Sequence, residues 1–240
     1  MTTFFSAFDS IRMISLPERL DRRAEISKEM TRVGLTVGQG SARMFDAIRP
    51  AEAAGFPSVG ARGCYLSHLQ VLREALEDGT RHLMVFEDDA LFTREIEHAD
   101  ALLDLCRSDD WDFLYPGHVM LPAIPGPLHW IPKDDWLMCT HAYAVNQRVL
   151  KPLVAYLEDA LARPVGHSGG GPMHIDAAYN YFMRDHPQVL TFRSSRSLVI
   201  QRSSHSDVAP PKAVHRLLPS GALRVARKAK NWIRSKSSKS

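Results

Sequence analysis

Leu83-Met84-Val85-Phe86-Glu87-Asp88-Asp89 is a continuous apolar run that ends in three carboxylates. An unbroken apolar run of this length reads as a strand buried on both faces, the pattern of a mostly parallel sheet. In open α/β sheets ligands bind beyond the carboxyl ends of the strands, which is where these acids fall. Three adjacent carboxylates repel one another unless a cation lies between them. Side chains alternate along extended backbone, so Glu87 and Asp89 point one way and Asp88 the other. The resulting acid-x-acid pair suits a hard divalent cation with positions left open for phosphate oxygens. The same residues also read as a solvated acidic strand end.

Working outward, Ile11 to Ser15 reads as a strand and Arg19 to Val33 as a helix stopped by Gly34. Tyr65, Leu69, Leu72 and Leu76 recur at helical spacing and predict a helix over Gly63 to Glu77, ended by Gly79. Downstream, a helix is predicted over Ala99 to Arg107 and a strand over Trp111 to Tyr115. Residues 116 to 135 are rich in proline and read as a long loop or lid. Thr140 to Val145 reads as a strand, with Asn146 as N-cap of a helix reaching Leu161. Gly169-Gly170-Gly171 reads as a flexible break before a helix over Ile175 to Met183. Val189 to Phe192 and Leu198 to Gln201 complete the strands. The alternation predicts an α/β fold, a mostly parallel twisted sheet flanked by helices. Residues 1–210 are expected to form one domain, and 211–240 a basic tail.

That tail carries most of the charge asymmetry. The 240-residue chain has a formal charge of +3, yet Leu223 to Ser240 alone holds seven Lys and Arg and no acid. The other residues hold 23 Lys and Arg against 27 Asp and Glu, a mildly acidic body. Such a body opposes broad nucleic-acid binding, which wants an extended basic face. Basic residues beside Trp232-Ile233 suit an anionic membrane surface, each cation contributing on the order of 1 kcal/mol; a solvated tail is the other reading. Three widely spaced cysteines without a CxxC pair fit a reducing compartment. The start, MTTFFSAFDSIRMI, does not read as a signal peptide, and no apolar run is long enough to span a bilayer. The expected location is cytoplasmic, with the tail able to hold the chain at the inner membrane face.

Three further stretches carry candidate chemistry. In Gly63-Cys64-Tyr65-Leu66-Ser67-His68, Ser67 and His68 lie off the apolar stripe and need not be core. Cys64 and His68 share a helix face, open to metal or nucleophile chemistry or to a plain polar contact. In His174-Ile175-Asp176 the aspartate stands at a helix entrance, where it favours the helix dipole and also stays ionised as a general base must. In Gln201-Arg202-Ser203-Ser204-His205-Ser206-Asp207, His205 is a late metal ligand or a loop histidine.

Taken together and in order, these stretches resemble glycosyltransferase family 25, the bacterial lipooligosaccharide galactosyl- and glucosyltransferases and their collagen-modifying relatives. The carriers are ISLPERLDRR (Ile14 to Arg23), G-C-x-x-S-H (Gly63 to His68), MVFEDDALF (Met84 to Phe92), WDFLYPG (Trp111 to Gly117), THAYAVN (Thr140 to Asn146), the Asp176 helix and Gln201 to Asp207. The resemblance implies a GT-A-like fold, a UDP-sugar donor, a divalent metal (Mn²⁺ or Mg²⁺) and inversion at the anomeric carbon. It implies a lipid-linked or oligosaccharide acceptor of the lipopolysaccharide type. Residue by residue it implies metal contact from Glu87, Asp89 and His205, with Asp88 holding the donor ribose or sugar. It implies donor contacts from Leu16, Arg19, Arg22, Ser67 and His68, and Asp176 as the base for the acceptor hydroxyl.

Two rivals fit parts of the sequence. A Mg²⁺-dependent phosphoryl or nucleotidyl transferase also wants a strand-end acid cluster, but no GxxxxGK[ST] loop occurs. A non-catalytic membrane-surface protein with a degenerate transferase fold would be led by the basic tail.

Overall fold

The computed structural model describes residues 3–119, 121–133 and 135–202. His205 and the basic tail lie outside the described residues. The apolar run predicted as a buried strand is β3 (His82–Glu87), and every residue from His82 to Phe86 is buried. It is the third strand of a seven-stranded sheet built with β1 (Ser10–Ser15), β2 (Ala42–Asp46), β5 (Phe113–Tyr115), β6 (Trp130–Pro132), β7 (Ala142–Asn146) and β8 (Thr191–Ser194). The strand order is β2-β1-β3-β7-β5-β8-β6. Strands β2, β1, β3, β5 and β8 run one way, while β7 and β6 run against them. The sheet is therefore mostly parallel with two reversed strands, and β7 lies beside β3 in the centre.

Alternation along β3 divides the core between the two sheet faces. Met84 and Phe86 join a cluster with Phe4, Phe5, Ile26 and Met30, under α1 (Leu20–Arg32) and the short helical segments at Phe4–Ala7 and Arg94–Leu102. Leu83 and Val85 join Leu69, Leu72, Leu153, Tyr179 and Phe182 under α2 (Val59–Glu77), α4 (Gln147–Ala162) and α5 (Ile175–Asp185). A short helix, α3 (Leu103–Arg107), completes the first face. Burial of a Leu such as Leu69 makes its truncation to Ala cost about 2–5 kcal/mol.

Local signals placed the helix ends. Ser58 caps α2 by accepting the Ala61 N–H, and Asn146 caps α4 by accepting the Arg148 N–H. Gly34 and Gly79 take the left-handed conformation that stops a helix.

Three strands escape the pattern reading. β2 and β6 are edge strands, where little hydrophobic signal is needed, and Pro132 is tolerated in β6 because an edge has no ladder bond to lose there. β4 (Ala90–Phe92) pairs with β9 (Val199–Gln201) in a separate two-stranded ribbon. The stretch expected as a lid is instead fastened to β8 and the segment after it: Ile124 N–H donates to the Ser195 carbonyl at 2.9 Å, and Lys133 N–H to the Thr191 carbonyl at 2.8 Å. The glycine run is likewise no flexible break. The Gly169 carbonyl accepts from Tyr156 Oη at 2.9 Å and from Arg163 at 2.5 Å, and a Cβ on Gly171 would meet the Pro164 carbonyl at 2.4 Å. A fixed turn packs there too closely for side chains.

Candidate active site

The carboxyl ends of β1, β2 and β3 open into one cavity of about 390 Å³. This volume lies in the range of small-molecule sites. Its wall takes Ser15 and Leu16 from the exit of β1, Ala47 to Pro50 from the exit of β2, and Glu87, Asp88 and Asp89 from the exit of β3. The first turns of α2 contribute Gly63, Cys64, Ser67 and His68. Cys139 and Thr140, His174 to Asp176 and Gln201 close the remaining sides.

The G-C-x-x-S-H block has a steric logic. A Cβ on Gly63 would lie 2.6 Å from the Ile48 carbonyl oxygen, so glycine lets α2 approach the exit of β2. Ser67 then joins the two: its hydroxyl accepts the Ile48 N–H at 2.8 Å and donates to the Gly63 carbonyl at 2.7 Å. Although Ser67 and His68 lie off the apolar stripe, both are fully buried, because the exits of β2 and β3 cover that face of α2. Ser67 reaches the cavity wall with its hydroxyl already engaged by backbone. His68 Nδ1 bonds Tyr143 Oη at 2.8 Å, and Tyr143 Oη bonds Tyr179 Oη at 2.8 Å.

The three acids of the strand end have different surroundings. Glu87 accepts the Thr140 hydroxyl at 2.6 Å and lies 3.4 Å from His68 Nε2, without the alignment of a hydrogen bond. Burial works to raise its carboxyl, but the His68 ring and the Thr140 hydroxyl outweigh it and hold Glu87 below its ordinary value. Asp88 turns away to Ser15 Oγ at 2.7 Å and to the Arg22 guanidinium at 2.9 Å, both partners being largely buried. Asp89 accepts from Gln201 Nε2 at 3.0 Å through one oxygen, while its Oδ1 is buried with no hydrogen bond. Burial first, then the Glu87 carboxylate, push Asp89 up to about 7 against the Gln201 bond.

Asp176 stands in the first turn of α5, where its Oδ1 accepts the Ala177 N–H at 2.8 Å. Its Oδ2 accepts the Cys139 N–H at 3.1 Å. A carboxylate offers about four lone-pair sites, so both oxygens keep room for a further donor. Cys139 adopts φ +70°, a left-handed conformation rare for a residue with a Cβ, and the Asp176 bond helps hold it there.

The structure thus brings Leu16, Arg22, Ser67, His68, Glu87, Asp88, Asp89 and Asp176 to one cavity. Arg19 is not on its wall: its guanidinium bonds the Asp21 carboxylate at 3.1 Å. Among the wall residues that the sequence reading gave no role, four bond the acids. Ser15 fixes Asp88, Thr140 fixes Glu87, Gln201 fixes Asp89 and Cys139 meets Asp176.

The orphaned Asp89 Oδ1 and the clustered acids fit a divalent cation, which would use those lone pairs and relieve their repulsion. Asp88, already bonded to Ser15 and Arg22, is the least available of the three.

Comparison with known proteins places this geometry. The fold is similar to that of a glycosyltransferase involved in the glycosylation of the major capsid of PBCV-1, which superposes with a TM-score of 0.50 at 10% identity, covering 82% of this chain and 93% of that one. At that identity the likeness is one of fold. The family model for glycosyltransferase family 25 (LPS biosynthesis protein) matches residues 57–119, the segment holding the G-C-x-x-S-H block and the acidic strand end. Over 93 residues the chain is also 31% identical to the lacto-N-neotetraose biosynthesis glycosyltransferase LgtB of Neisseria meningitidis serogroup B (strain ATCC BAA-335 / MC58). That alignment covers 33% of this chain, and the chain spans about a third (32%) of that relative. The resemblance read from the sequence is supported by both findings: residues 57–119 match the family 25 model, and the chain is similar over 93 residues to a glycosyltransferase of lacto-N-neotetraose biosynthesis.

Proposed function

We propose that the chain is an inverting hexosyltransferase. It would move galactose or glucose from a UDP-sugar to a hydroxyl of a lipopolysaccharide or related surface-glycan acceptor. One observation carries the reading: the cavity at the parallel strand ends holds four carboxylates, Glu87, Asp88, Asp89 and Asp176, and Arg22 is engaged with one of them. A nucleoside diphosphate is itself anionic and enters such a wall only with a cation. Glu87 and Asp89 are the residues to hold Mn²⁺ or Mg²⁺, which when bound supplies charge neutralisation for the departing diphosphate.

The chain's own residues do the rest. Thr140 and Gln201 orient Glu87 and Asp89 through hydrogen bonds of 2.6 and 3.0 Å. Arg22 and Asp88, locked together between β1 and α1, present a polar edge for the donor beside Leu16. Asp176 accepts the proton of the attacking hydroxyl, a role worth about 10²- to 10⁴-fold. The fixed bond to the Cys139 N–H keeps its carboxylate oriented.

The family match and the Neisseria relative support a glycan acceptor of the lipopolysaccharide type. No helix among the described residues is long and apolar enough to cross a membrane. Docking at an anionic membrane surface is proposed for the segment after residue 210; removal of 211–240 should abolish salt-sensitive sedimentation with anionic vesicles. For the transfer itself, UDP release from UDP-galactose and UDP-glucose is measured with a lipooligosaccharide acceptor, with and without Mn²⁺, and the product linkage is read by NMR. Metal-dependent release and an inverted anomeric centre are expected. Release unaffected by chelator, or a retained configuration, would reject the proposal.

A further inference from the structure

We infer that Cys64, His68 and Glu87 form a second cation site in the same cavity, one that takes a thiophilic divalent ion such as Zn²⁺. The ligand atoms of the three residues all lie within 4.8 Å of one another. His68 Nε2 and Glu87 Oε1 are 3.4 Å apart. Two ligands on one tetrahedral ion, at bond lengths of about 2.0–2.1 Å, stand roughly 3.3–3.4 Å apart. The pair is therefore already at the separation an ion would impose.

His68 gives the second, independent sign. It is fully buried, and its Nε2 makes no hydrogen bond. A buried polar atom without a hydrogen bond is unfavourable, and coordination removes that penalty. The other ring nitrogen is held by Tyr143, which is held by Tyr179. In the tautomer that donates Nδ1–H to the Tyr143 oxygen, an ion between His68 and Glu87 would meet the Nε2 lone pair, the outer-shell arrangement that metal-bound histidines use, and it would replace the His68–Glu87 attraction of the metal-free site. Cys64 lies one helical turn before His68 on the same face of α2 and lines the cavity.

The donor set decides the ion. One sulfur, one imidazole and one carboxylate suit Zn²⁺ far better than Mg²⁺ or Mn²⁺, and three protein ligands leave a fourth position open. Burial, then the Glu87, Asp176 and Asp89 carboxylates, push the Cys64 thiol well up, so it carries its proton until a cation arrives. Coordination expels that proton to solvent and leaves a bound thiolate. Glu87 is shared with the acidic strand end, so an ion here withdraws it from the harder one. Zn²⁺ is then an antagonist of Mn²⁺ rather than a substitute for it.

The test is metal binding and needs no turnover, so it stands or falls separately from the transferase reading. Co²⁺ is titrated into metal-free protein, and the near-ultraviolet thiolate-to-cobalt charge-transfer absorption is followed. The wild type should show this band and lose it when Zn²⁺ is added. Cys64→Ser and Cys64→Ala should lack the band and bind Co²⁺ at least ~100-fold more weakly, since even outer-shell changes cost 10- to 100-fold. Unfolding midpoints of the metal-free variants, matched to wild type, separate ligand loss from misfolding. Cys139→Ser, at the other cavity thiol, and Asp89→Asn should both keep the band. No band in the wild type, a band that survives in both Cys64 variants, or one that disappears in Cys139→Ser alone would overturn the assignment.

Discussion

At the residue scale, Asp89 and Asp176 differ in how their oxygens are bonded within one cavity. Asp89 sits beside Glu87 with a buried, unbonded oxygen and is pushed up to about 7. Its proton is thus held more tightly in the folded chain than in the unfolded one, where a carboxyl titrates near ~3.9. Metal-free stability must then fall as pH rises from ~4 through 7, with the loss complete above 7. Asp89→Asn removes that loss. The metal-free variant should therefore melt several degrees above wild type at pH 8, and the gap should close as pH is lowered to 5. Thermal melts in chelator check this; a variant that is less stable at pH 8 would contradict it. Asp176 is already bonded to two N–H groups, so its amide should keep the fold. Asp176→Asn is expected to lower kcat by about 10²- to 10⁴-fold while leaving the donor Kd within a factor of a few. Collapse of donor binding instead would move Asp176 into the donor site.

At the element scale, the site depends on how closely α2 approaches the exit of β2. Gly63→Ala puts a Cβ 2.6 Å from the Ile48 carbonyl oxygen. The overpacking should cost about 2 kcal/mol, or ~4–8 °C in Tm, and should loosen the donor wall. An unchanged Tm would mean that this contact is soft. What was legible in sequence follows the same lines. The apolar run and acids of β3, the stripe of α2 and the caps at Asn146 and Gly34 are local patterns, and each sits where the pattern put it. Thr140 and Gln201 open two of the quoted stretches, but nothing local tells that they reach the acids. They reach the acids because β7 lies antiparallel to β3, with Phe86 opposite Ala142, and because the β4–β9 ribbon sets Ala90 opposite Gln201. Cys139 was equally hidden, since nothing in its neighbours announces a positive φ. Arg19 shows the converse: proximity in sequence to Arg22 did not bring it to the wall, and its guanidinium pairs with Asp21.

At the scale of the whole molecule, five strands in one direction place three consecutive carboxyl ends side by side, and the chain gathers its acids there. The two reversed strands are not decoration. β7 delivers Cys139 and Thr140 from the far side, which a wholly parallel sheet would have sent to the opposite edge. The body, leaving out Leu223 to Ser240, is mildly acidic and its cavity more so, which underlies the central proposal that an anionic donor binds here only together with a divalent ion. Calorimetric titration of UDP into metal-free protein, with and without Mn²⁺, tests this most directly. Wild type should bind UDP at least ~10-fold more tightly with Mn²⁺, equivalent to about 1.4 kcal/mol, and Asp89→Asn should show no such gain. Equal affinity for UDP with and without Mn²⁺ in the wild type would contradict it.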